Sequence, residues 1–302
     1  MLTTNQLRQT AARSGARDIT NVEIDVILTH LLQLLNEHGL MEHLAFKGGT
    51  MLRKMVFGPR GRLSTNLDFT CRTNIHVDDL MLMLLESLGR PYHGIDFRFD
   101  KDKDWYLTAD GCAANPVCQH ADNERGIKVK LQVSTRERPI LPVMPRPQIA
   151  QDYFDFLPFR PAEIPCLQFE EVVAEKIRAA SQRSKIRDLH DLSEISTRPL
   201  NQAQIRSLAV LKLWNSRGAG LDFEAFRARI HDVGNYDVND LRSLLRKDQH
   251  PDLSTMIGRV VERYQFLGNL TELERTLAED SSQRRFAQAE QLVALIASTG
   301  GA

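Results

Sequence analysis

Hydrophobic positions along the first ninety residues predict helices and short strands in turn. Residues 21–38 carry apolar side chains at helical spacing and predict a buried helix with Asn21 as its N-cap. The apolar runs 44–46 and 67–71 predict two strands, and the segment 50–57 between them predicts a helix. This mixture predicts an α+β fold.

Residues 77–165 predict another helix, three strands and an extended connection. The segment 77–88 is rich in Leu and Met and predicts an apolar helix. Alternating patterns at 97–99, 105–108 and 128–133 predict antiparallel strands, interrupted by a loop at 110–125. Seven prolines between residues 139 and 165 predict an extended connection, because proline disrupts a helix interior.

The C-terminal part predicts helices alone. In the segment 169–181 the apolar side chains share one face, and we expect Glu171, Glu175 and Arg178 on or near the other. Further helices are predicted at 187–195, 202–214, 223–231, 237–246, 253–267 and 272–297. We therefore predict two domains: residues 1–198, with N-terminal helices and a small mixed or antiparallel sheet flanked by helices, and a helical domain at 199–302.

Composition and charge limit the classes of protein to which this chain can belong. The 302 residues are 42% hydrophobic, enough for two cores, and the formal net charge is zero, so nucleic-acid binding would need a local basic patch. The four cysteines fit no zinc-finger spacing, and we expect free thiols. No signal peptide or membrane span is predicted, so we expect a soluble cytoplasmic protein.

The stretch between the first two predicted strands carries candidate chemistry. Residues 47–50 read Lys-Gly-Gly-Thr, where a glycine turn can close its N–H groups on an anion. Asn66 and Asp68 project to one face of the next strand, because strand side chains alternate with a period of two. The pattern predicts a phosphate site beside a metal site.

Four motifs in order resemble a known family. They are Lys47-Gly48-Gly49-Thr50, then Ser64 with Asn66-Leu67-Asp68-Phe69, then Glu175-Lys176, then Arg187-Asp188-Leu189 with Asp191-Leu192. Over residues 40–195 the chain looks like the nucleotidyltransferase toxins of the AbiEii/AbiGii abortive-infection family. Each motif is weak alone, and their joint order and spacing carry the resemblance.

The resemblance implies a DNA polymerase beta-like nucleotidyltransferase fold. It also implies transfer of a nucleoside monophosphate from an NTP to RNA or tRNA, dependent on Mg²⁺ or Mn²⁺, and a cognate antitoxin as partner. The implied catalytic residues are Asp68, Lys176 and Asp188. The implied nucleotide-binding residues are Lys47, Gly48, Gly49, Thr50, Ser64 and Arg187, and the implied metal ligands are Asp68, Asn66 and Gln132.

Two residues depart from the family pattern. Asn66 stands where the family has the first Asp of an Asp-x-Asp pair, and Gln132 stands where it has a third acidic residue. An amide keeps an oxygen ligand but loses the negative charge, so we expect weaker Mg²⁺ binding. The chain is therefore an active enzyme with a relocated acid, a degenerate nucleotide binder, or an engineered inactive variant of a toxic protein.

Simpler interpretations stand beside each motif. The Gly-Gly pair is also a plain turn, the Glu175-Lys176 pair is also a solvated helix face, and the Arg187 to Asp191 charges also suit a helix start. Two basic groups would form an RNA track if they converged, and otherwise belong to ordinary solvated surfaces: Arg125, Lys128, Lys130, Arg136, Arg138, and Lys176, Arg178, Arg183, Lys185, Arg187. A non-catalytic interaction protein is the alternative function, and a helical adaptor is a third.

Overall fold

A computed structural model describes residues 1–216 and 220–299, and the chain divides into two compact units. The first unit contains residues 1–139, 143–166 and 243–250, and the second contains residues 140–142, 167–242 and 251 onward. The domain boundary predicted at 198/199 thus falls inside the second unit.

The first unit combines five helices with ten strands. Its helices are α1 (Thr4–Ser14), α2 (Ile19–Glu37), α3 (Gly48–Met51), α4 (Val77–Leu88) and α5 (Lys101–Asp104), with a π-helical turn at Leu52–Phe57 and 3₁₀ turns at Leu40–Glu42, Gly58–Arg60 and Phe154–Phe156. Its strands are β1 (Leu44–Lys47), β2 (Asn66–Cys71), β3 (Asp96–Arg98), β4 (Trp105–Thr108), β5 (Gly111–Ala114), β6 (Val117–His120), β7 (Asn123–Lys128), β8 (Lys130–Ser134), β9 (Met144–Arg146) and β10 (Ile164–Cys166).

Seven of these strands form a mixed sheet in the order β4-β5-β8-β2-β1-β10-β9. The pairs β2/β8 and β1/β10 are parallel, and the other pairs are antiparallel. A smaller antiparallel sheet has the order β3-β6-β7. The predicted α+β class is confirmed, as are the first two predicted strands, the helix at 77–88 and the four free cysteines.

Two predictions in this unit were wrong. Residues 110–125 form strands and not a loop: β5 is buried on both faces, so its short Cys-Ala-Ala run shows no alternation. The strand at 130–134 pairs antiparallel with β5, as predicted, and it also pairs in parallel with β2. Helix α2 begins earlier than predicted, because the Asp18 side chain accepts a hydrogen bond from the Thr20 N–H and caps it, while Asn21 donates to the Ser243 carbonyl.

A charged cluster lies inside the first unit. The Asp25 carboxylate of α2 accepts hydrogen bonds from Arg53 Nε at 3.1 Å, Lys54 Nζ at 3.0 Å and the Tyr153 hydroxyl at 3.0 Å. Lys54 also donates to the Thr29 hydroxyl at 2.8 Å. Burial alone would raise the pKa of Asp25, but the two cations outweigh it and hold that pKa below its ordinary value.

The two basic residues reach Asp25 through the π-helical turn. The sequence predicted a regular helix at 50–57, and the structure continues α3 with i→i+5 bonding from Leu52 to Phe57. Consecutive Arg53 and Lys54 are both buried there, and Arg53 Nη1 also donates to the Gly61 carbonyl at 2.6 Å. Because this turn directly follows Gly48 to Met51, the Asp25 cluster anchors the end of the predicted phosphate turn.

The second unit is helical, which confirms the predicted helical C-terminal region. Its helices are α6 (Phe169–Gln182), α7 (Ile186–Ile195), α8 (Gln202–Trp214), α9 (Phe223–Ile230), α11 (Leu253–Arg263), α12 (Glu272–Ala278) and α13 (Phe286–Thr299), and α10 (Val238–Leu244) spans the boundary between the units. Within residues 1–216 and 220–299, no helix has the length and apolar character required to cross a membrane.

In this unit, the ends of the helix predicted at 272–297 and the burial of one face of α6 differ from the sequence prediction. The helix predicted at 272–297 is two helices, because the Asp280 carboxylate accepts the N–H groups of Arg284 and Arg285 and interrupts the pattern. Glu171 is fully buried and not on a solvated face: Lys212 Nζ donates to it at 2.6 Å. The carboxylate also accepts the N–H groups at positions 140 and 141.

Replacing Asp25 by Ala leaves two buried cations without their shared carboxylate. We expect the free energy of unfolding to fall by about 3–5 kcal/mol, the cost of removing one partner of a buried ion pair. Urea denaturation measures the change. Asp79→Ala is the control, since Asp79 is exposed in the first turn of α4 and its loss should cost about 1 kcal/mol or less. Equal losses in the two variants would contradict the anchoring role of Asp25.

Candidate active site

Asp68 lies at the centre of a polar row in the first unit. In the sheet it is paired in register with Lys47 of β1 on one side and with Gln132 of β8 on the other. Asn66 precedes it by two positions on the same face, and all four residues are partly buried. The sheet therefore brings together the residues proposed as metal ligands and the lysine that opens the phosphate turn.

The turn itself closes on the Asp68 carboxylate. Gly48 has φ of 81°, in the left-handed region, and a Cβ added to it would lie 2.5 Å from Asp68 Oδ2. A Cβ on Gly49 would collide with the guanidinium of Arg62. Both glycines are thus required by close approach of a charged side chain, which a plain turn would not need.

Thr50 ties this turn to the strand behind it. Its hydroxyl donates to the Asn66 carbonyl and is fully buried, so the side chain positions β2 against α3. The Thr65 hydroxyl donates to Asn66 Oδ1 at 3.2 Å and orients that amide. Ser64 is buried in the extended segment before β2. These contacts give the Asn66 to Asp68 segment a fixed orientation.

The oxygen donors of this row suit one hard cation. Asp68 supplies the carboxylate, and Asn66 and Gln132 supply amide oxygens, which Mg²⁺ accepts together with water and substrate phosphates. Within the described residues, no three His, Cys, Asp or Glu side chains are grouped to hold a metal. The donor set therefore fits a single ion that shares its coordination with a triphosphate, and it does not supply the carboxylates for two ions.

The remaining predicted site residues belong to the second unit. Lys176 of α6 lies between two carboxylates of α7, with its Nζ 3.0 Å from Asp188 Oδ1 and 2.7 Å from Asp191 Oδ2. Arg183 Nε contacts the other Asp188 oxygen at 2.9 Å. Lys176, Asp188 and Asp191 are all buried, so each charge depends on its partners.

The Asp188 carboxyl is held in its charged form. Its burial would raise the pKa, but Lys176 and Arg183 outweigh burial and the net pKa lies below the ordinary value. Arg187, predicted to bind nucleotide, does not join this cluster. Its guanidinium makes a bidentate ion pair with Asp240, with Nε to Oδ2 at 2.8 Å.

Sequence reasoning missed two residues of these two groups, and it also missed Asp25 of the buried cluster described above. Asp191 was noted within a motif but not placed at the site, although its spacing of three from Asp188 puts both on one face of α7. Arg62 was not given a role, and only the tertiary contact with Gly49 reveals it. The role of Asp25 had one sequence signal, a lone carboxylate in the apolar run of α2.

Many charges of the predicted RNA track have acidic partners inside their own unit. In the first unit, Lys128 pairs with Asp104, and Arg136 pairs with Asp110 and Glu137. In the second unit, Arg178 pairs with Glu175, in addition to the pairs of Lys176, Arg183 and Arg187 described above. These pairs reduce the net positive charge that either group offers to a phosphate backbone.

Comparison with known protein families identifies the family of this chain. The family model for the nucleotidyl transferase AbiEii toxin of a type IV toxin–antitoxin system matches residues 30–289. The chain belongs to this family. Membership implies an NTP substrate and a cognate antitoxin, and it places residues 47–50, 66–68 and 176–191 within the matched region. No curated protein matches the chain significantly in sequence.

A solved toxin structure supports the AbiEii assignment. MenT4, a nucleotidyltransferase toxin from Mycobacterium tuberculosis, is 25% identical, with a TM-score of 0.81 over 98% of this chain and 100% of that chain. JHP933 from Helicobacter pylori is a weaker match, 19% identical, with a TM-score of 0.45 over 89% of this chain and 97% of that chain. The MenT4 match extends over both units of this AbiEii chain.

Replacing Gly48 by Ala tests the contact between the turn and Asp68. The new methyl group meets the carboxylate at an unfavourable φ, so we expect a loss of more than about 1 kcal/mol in the free energy of unfolding, measured in urea. Gly258→Ala is the matched control: a Cβ there meets nothing within 4 Å inside α11, and it should stabilise by about 0.5–1 kcal/mol. A Gly48→Ala protein as stable as the natural one would argue against the close approach.

The lowered pKa of Asp188 predicts a pH-dependent stability difference. A depressed carboxyl pKa contributes stability above the unfolded value, near about pH 3.9, and that contribution is lost as pH falls through the folded value. Asp188→Asn should therefore cost about 1.5–3 kcal/mol at pH 7, the range for a hydrogen bond to a charged group, and progressively less below about pH 4. Urea midpoints from pH 7 to pH 3 measure the difference.

The exposed Glu290→Gln variant controls for the general effect of removing a carboxylate, and it should change stability by less than about 0.5 kcal/mol throughout. A cost of Asp188→Asn that stays constant over the whole pH range would show that the charge of Asp188 makes no contribution.

Proposed function

We propose that this chain is a metal-dependent nucleotidyltransferase that transfers a nucleoside monophosphate from an NTP to an RNA acceptor, with tRNA or a tRNA-like RNA as that acceptor. In this proposal it acts in the cytoplasm as the toxin of its pair, is restrained by its cognate antitoxin, and contributes to abortive infection and phage defence. The family assignment and the similarity to MenT4 support the reaction class.

One observation carries the proposal: the Gly48 turn closes on the Asp68 carboxylate. A Cβ added to Gly48 would lie 2.5 Å from Asp68 Oδ2, so any larger residue would displace that carboxylate. A turn whose N–H groups can bind phosphate then lies directly beside a carboxylate that can bind a cation. Nucleotidyl transfer needs this adjacency, because the metal must contact the phosphates being separated.

Different residues of the first unit would bind the phosphates, position the turn and hold the metal ion. Lys47 and the backbone of Gly48 and Gly49 would bind phosphate oxygens. Thr50 and Ser64 would position the turn and β2, since the Thr50 hydroxyl is already donated to the Asn66 carbonyl. Asp68, with the amide oxygens of Asn66 and Gln132, would hold Mg²⁺ or Mn²⁺, which neutralises charge on the triphosphate when bound.

In the second unit, the positive charges of Lys176 and Arg183 are paired with the carboxylates of Asp188 and Asp191. Lys176 and Asp188 would be the catalytic residues of this unit, and Asp188 fixes the direction of the Lys176 ammonium through their 3.0 Å contact. Arg187 would reach nucleotide only by leaving Asp240. We therefore expect Lys176 and Asp188 to matter more for transfer than Arg187.

A second function is favoured by the amides of Asn66 and Gln132. With one carboxylate at the row, the chain would bind NTP or a protein partner without catalysing transfer. One assay distinguishes the two functions. It measures the transfer of label from α-³²P NTPs to total tRNA with Mg²⁺ or Mn²⁺ on a denaturing gel. Titration calorimetry with each NTP and Mg²⁺ then reports binding without chemistry.

In this assay we expect the natural chain to label RNA and Asp68→Asn to lose about 10²-fold or more of the rate, since it removes the one carboxylate of the row. Asn66→Asp should lower the Mg²⁺ concentration needed for half-maximal rate, because it adds charge to the donor set. The exposed Asp79→Asn variant is the matched control and should behave as the natural chain.

Labelling by Asn66→Asp alone would identify the natural chain as a binder that has lost one acidic ligand. Absence of labelling by both, together with no NTP binding by calorimetry at millimolar ligand, would contradict the nucleotidyltransferase proposal and the nucleotide-binding alternative alike.

A further inference from the structure

An exposed aromatic side chain shares a sheet face with the candidate catalytic carboxylate. The register runs from Asp68 of β2 to Gln132 of β8, Ala113 of β5 and Tyr106 of β4. Side chains paired in register across a sheet project to the same face. Tyr106 therefore ends a row that passes through Asp68.

The position of Tyr106 within this row is unusual for a large aromatic residue. It lies on the edge strand of the seven-stranded sheet, and 39% of it is exposed. Neighbouring strands lie about 4.8 Å apart, so three strand spacings separate it from Asp68 by about 14 Å. Ala113, the residue between Tyr106 and Gln132, is small and buried.

A lysine accompanies the ring of Tyr106. Lys130 of β8 is paired in register with Asn66, and its Nζ lies 6.0 Å from the centroid of the Tyr106 ring. This distance is at the outer limit of a cation–π contact, so the ammonium keeps most of its capacity to pair with an anion. An aromatic ring three strands from Asp68 and a lysine from the strand next to Asp68 thus lie together.

We propose that Tyr106 and Lys130 bind the single-stranded end of the acceptor RNA, with a base stacked on the ring and a backbone phosphate on the ammonium. This subsite rests on the proposed function, because Tyr106 shares the sheet face of Asp68 at a distance of about 14 Å. Ring stacking accepts any base, and it requires an unpaired base whose face is free. Duplex RNA offers no such face within its helix.

Binding of short labelled RNA to the full-length chain, measured by fluorescence anisotropy without NTP, tests the subsite directly. Tyr106→Ala should weaken binding of single-stranded RNA by about 5- to 150-fold, the loss of one stacked base, whereas Tyr106→Phe keeps the ring and should bind nearly normally. Lys130→Ala should reduce the salt dependence of binding by about 0.7 in the log–log slope, the value for one phosphate of a single strand.

Leu107→Ala is the matched control. Leu107 follows Tyr106 on the same edge strand, projects to the opposite face and is more exposed, at 69%. Its truncation should leave RNA binding unchanged. An equal loss in Leu107→Ala and Tyr106→Ala would identify β4 as an edge that docks a partner, and would overturn the stacking proposal.

Binding of duplex RNA and of single-stranded DNA tests whether the Tyr106 ring stacks on an unpaired base. Blunt duplex RNA should bind more weakly than single-stranded RNA and should be insensitive to Tyr106→Ala; a Tyr106-dependent duplex would contradict stacking. Single-stranded DNA of the same sequence has the same base faces and phosphates, so Tyr106→Ala should weaken its binding too; a loss confined to RNA would contradict stacking. No binding of single-stranded RNA by the natural chain would overturn the subsite altogether.

Kinetics separate this inference from the proposed function. In the transfer assay, Tyr106→Ala should raise KM for the RNA acceptor and leave KM for NTP unchanged. Labelling with an unchanged acceptor KM would refute the subsite while the transferase proposal stands. Tyr106-dependent RNA binding in a chain that labels no RNA would refute the transferase proposal while the subsite stands.

Discussion

The buried carboxylate of Asp25 is the contact on which the arrangement of the first unit depends. It forms ion pairs with both Arg53 and Lys54, two consecutive basic residues that an apolar core does not accept without a partner. Their burial is possible because the chain adopts π-helical bonding after Met51 and widens the turn. Helix α2, the π turn and Tyr153 are thereby joined through one anion.

The candidate site lies at the other end of this anchored segment. Gly48 and Gly49 lie against Asp68 and Arg62, and the Thr50 hydroxyl joins the turn to β2. A site built on a strand and a helix start is fixed more firmly than one on a free loop, which benefits a reaction that depends on positioning. In this unit, structural charge and candidate functional charge occupy opposite ends of one short segment.

The second unit contains two lysines with similar partners and different surroundings. Lys212 pairs with Glu171 and Glu175, and its side chain is 1% exposed. Lys176 pairs with Asp188 and Asp191, and its side chain is 11% exposed. The first set joins α8 to α6, whereas the second joins α6 to α7 around a lysine side chain that is slightly more exposed.

The sequence by itself determined the α+β class, most helix positions, the first two strands and the family, because amphipathic period, turn residues and ordered motifs are local properties. It did not determine the strands at 111–128, since β5 consists of small buried residues without alternation and β7 is largely polar. It also did not determine the burial of Arg53, Lys54 and Glu171, which depends on distant partners. Likewise, the sequence assigned Asn66 and Asp68 to one face of a strand. Only strand pairing placed Lys47, Gln132 and Tyr106 on the same face, because register is a property of the folded sheet.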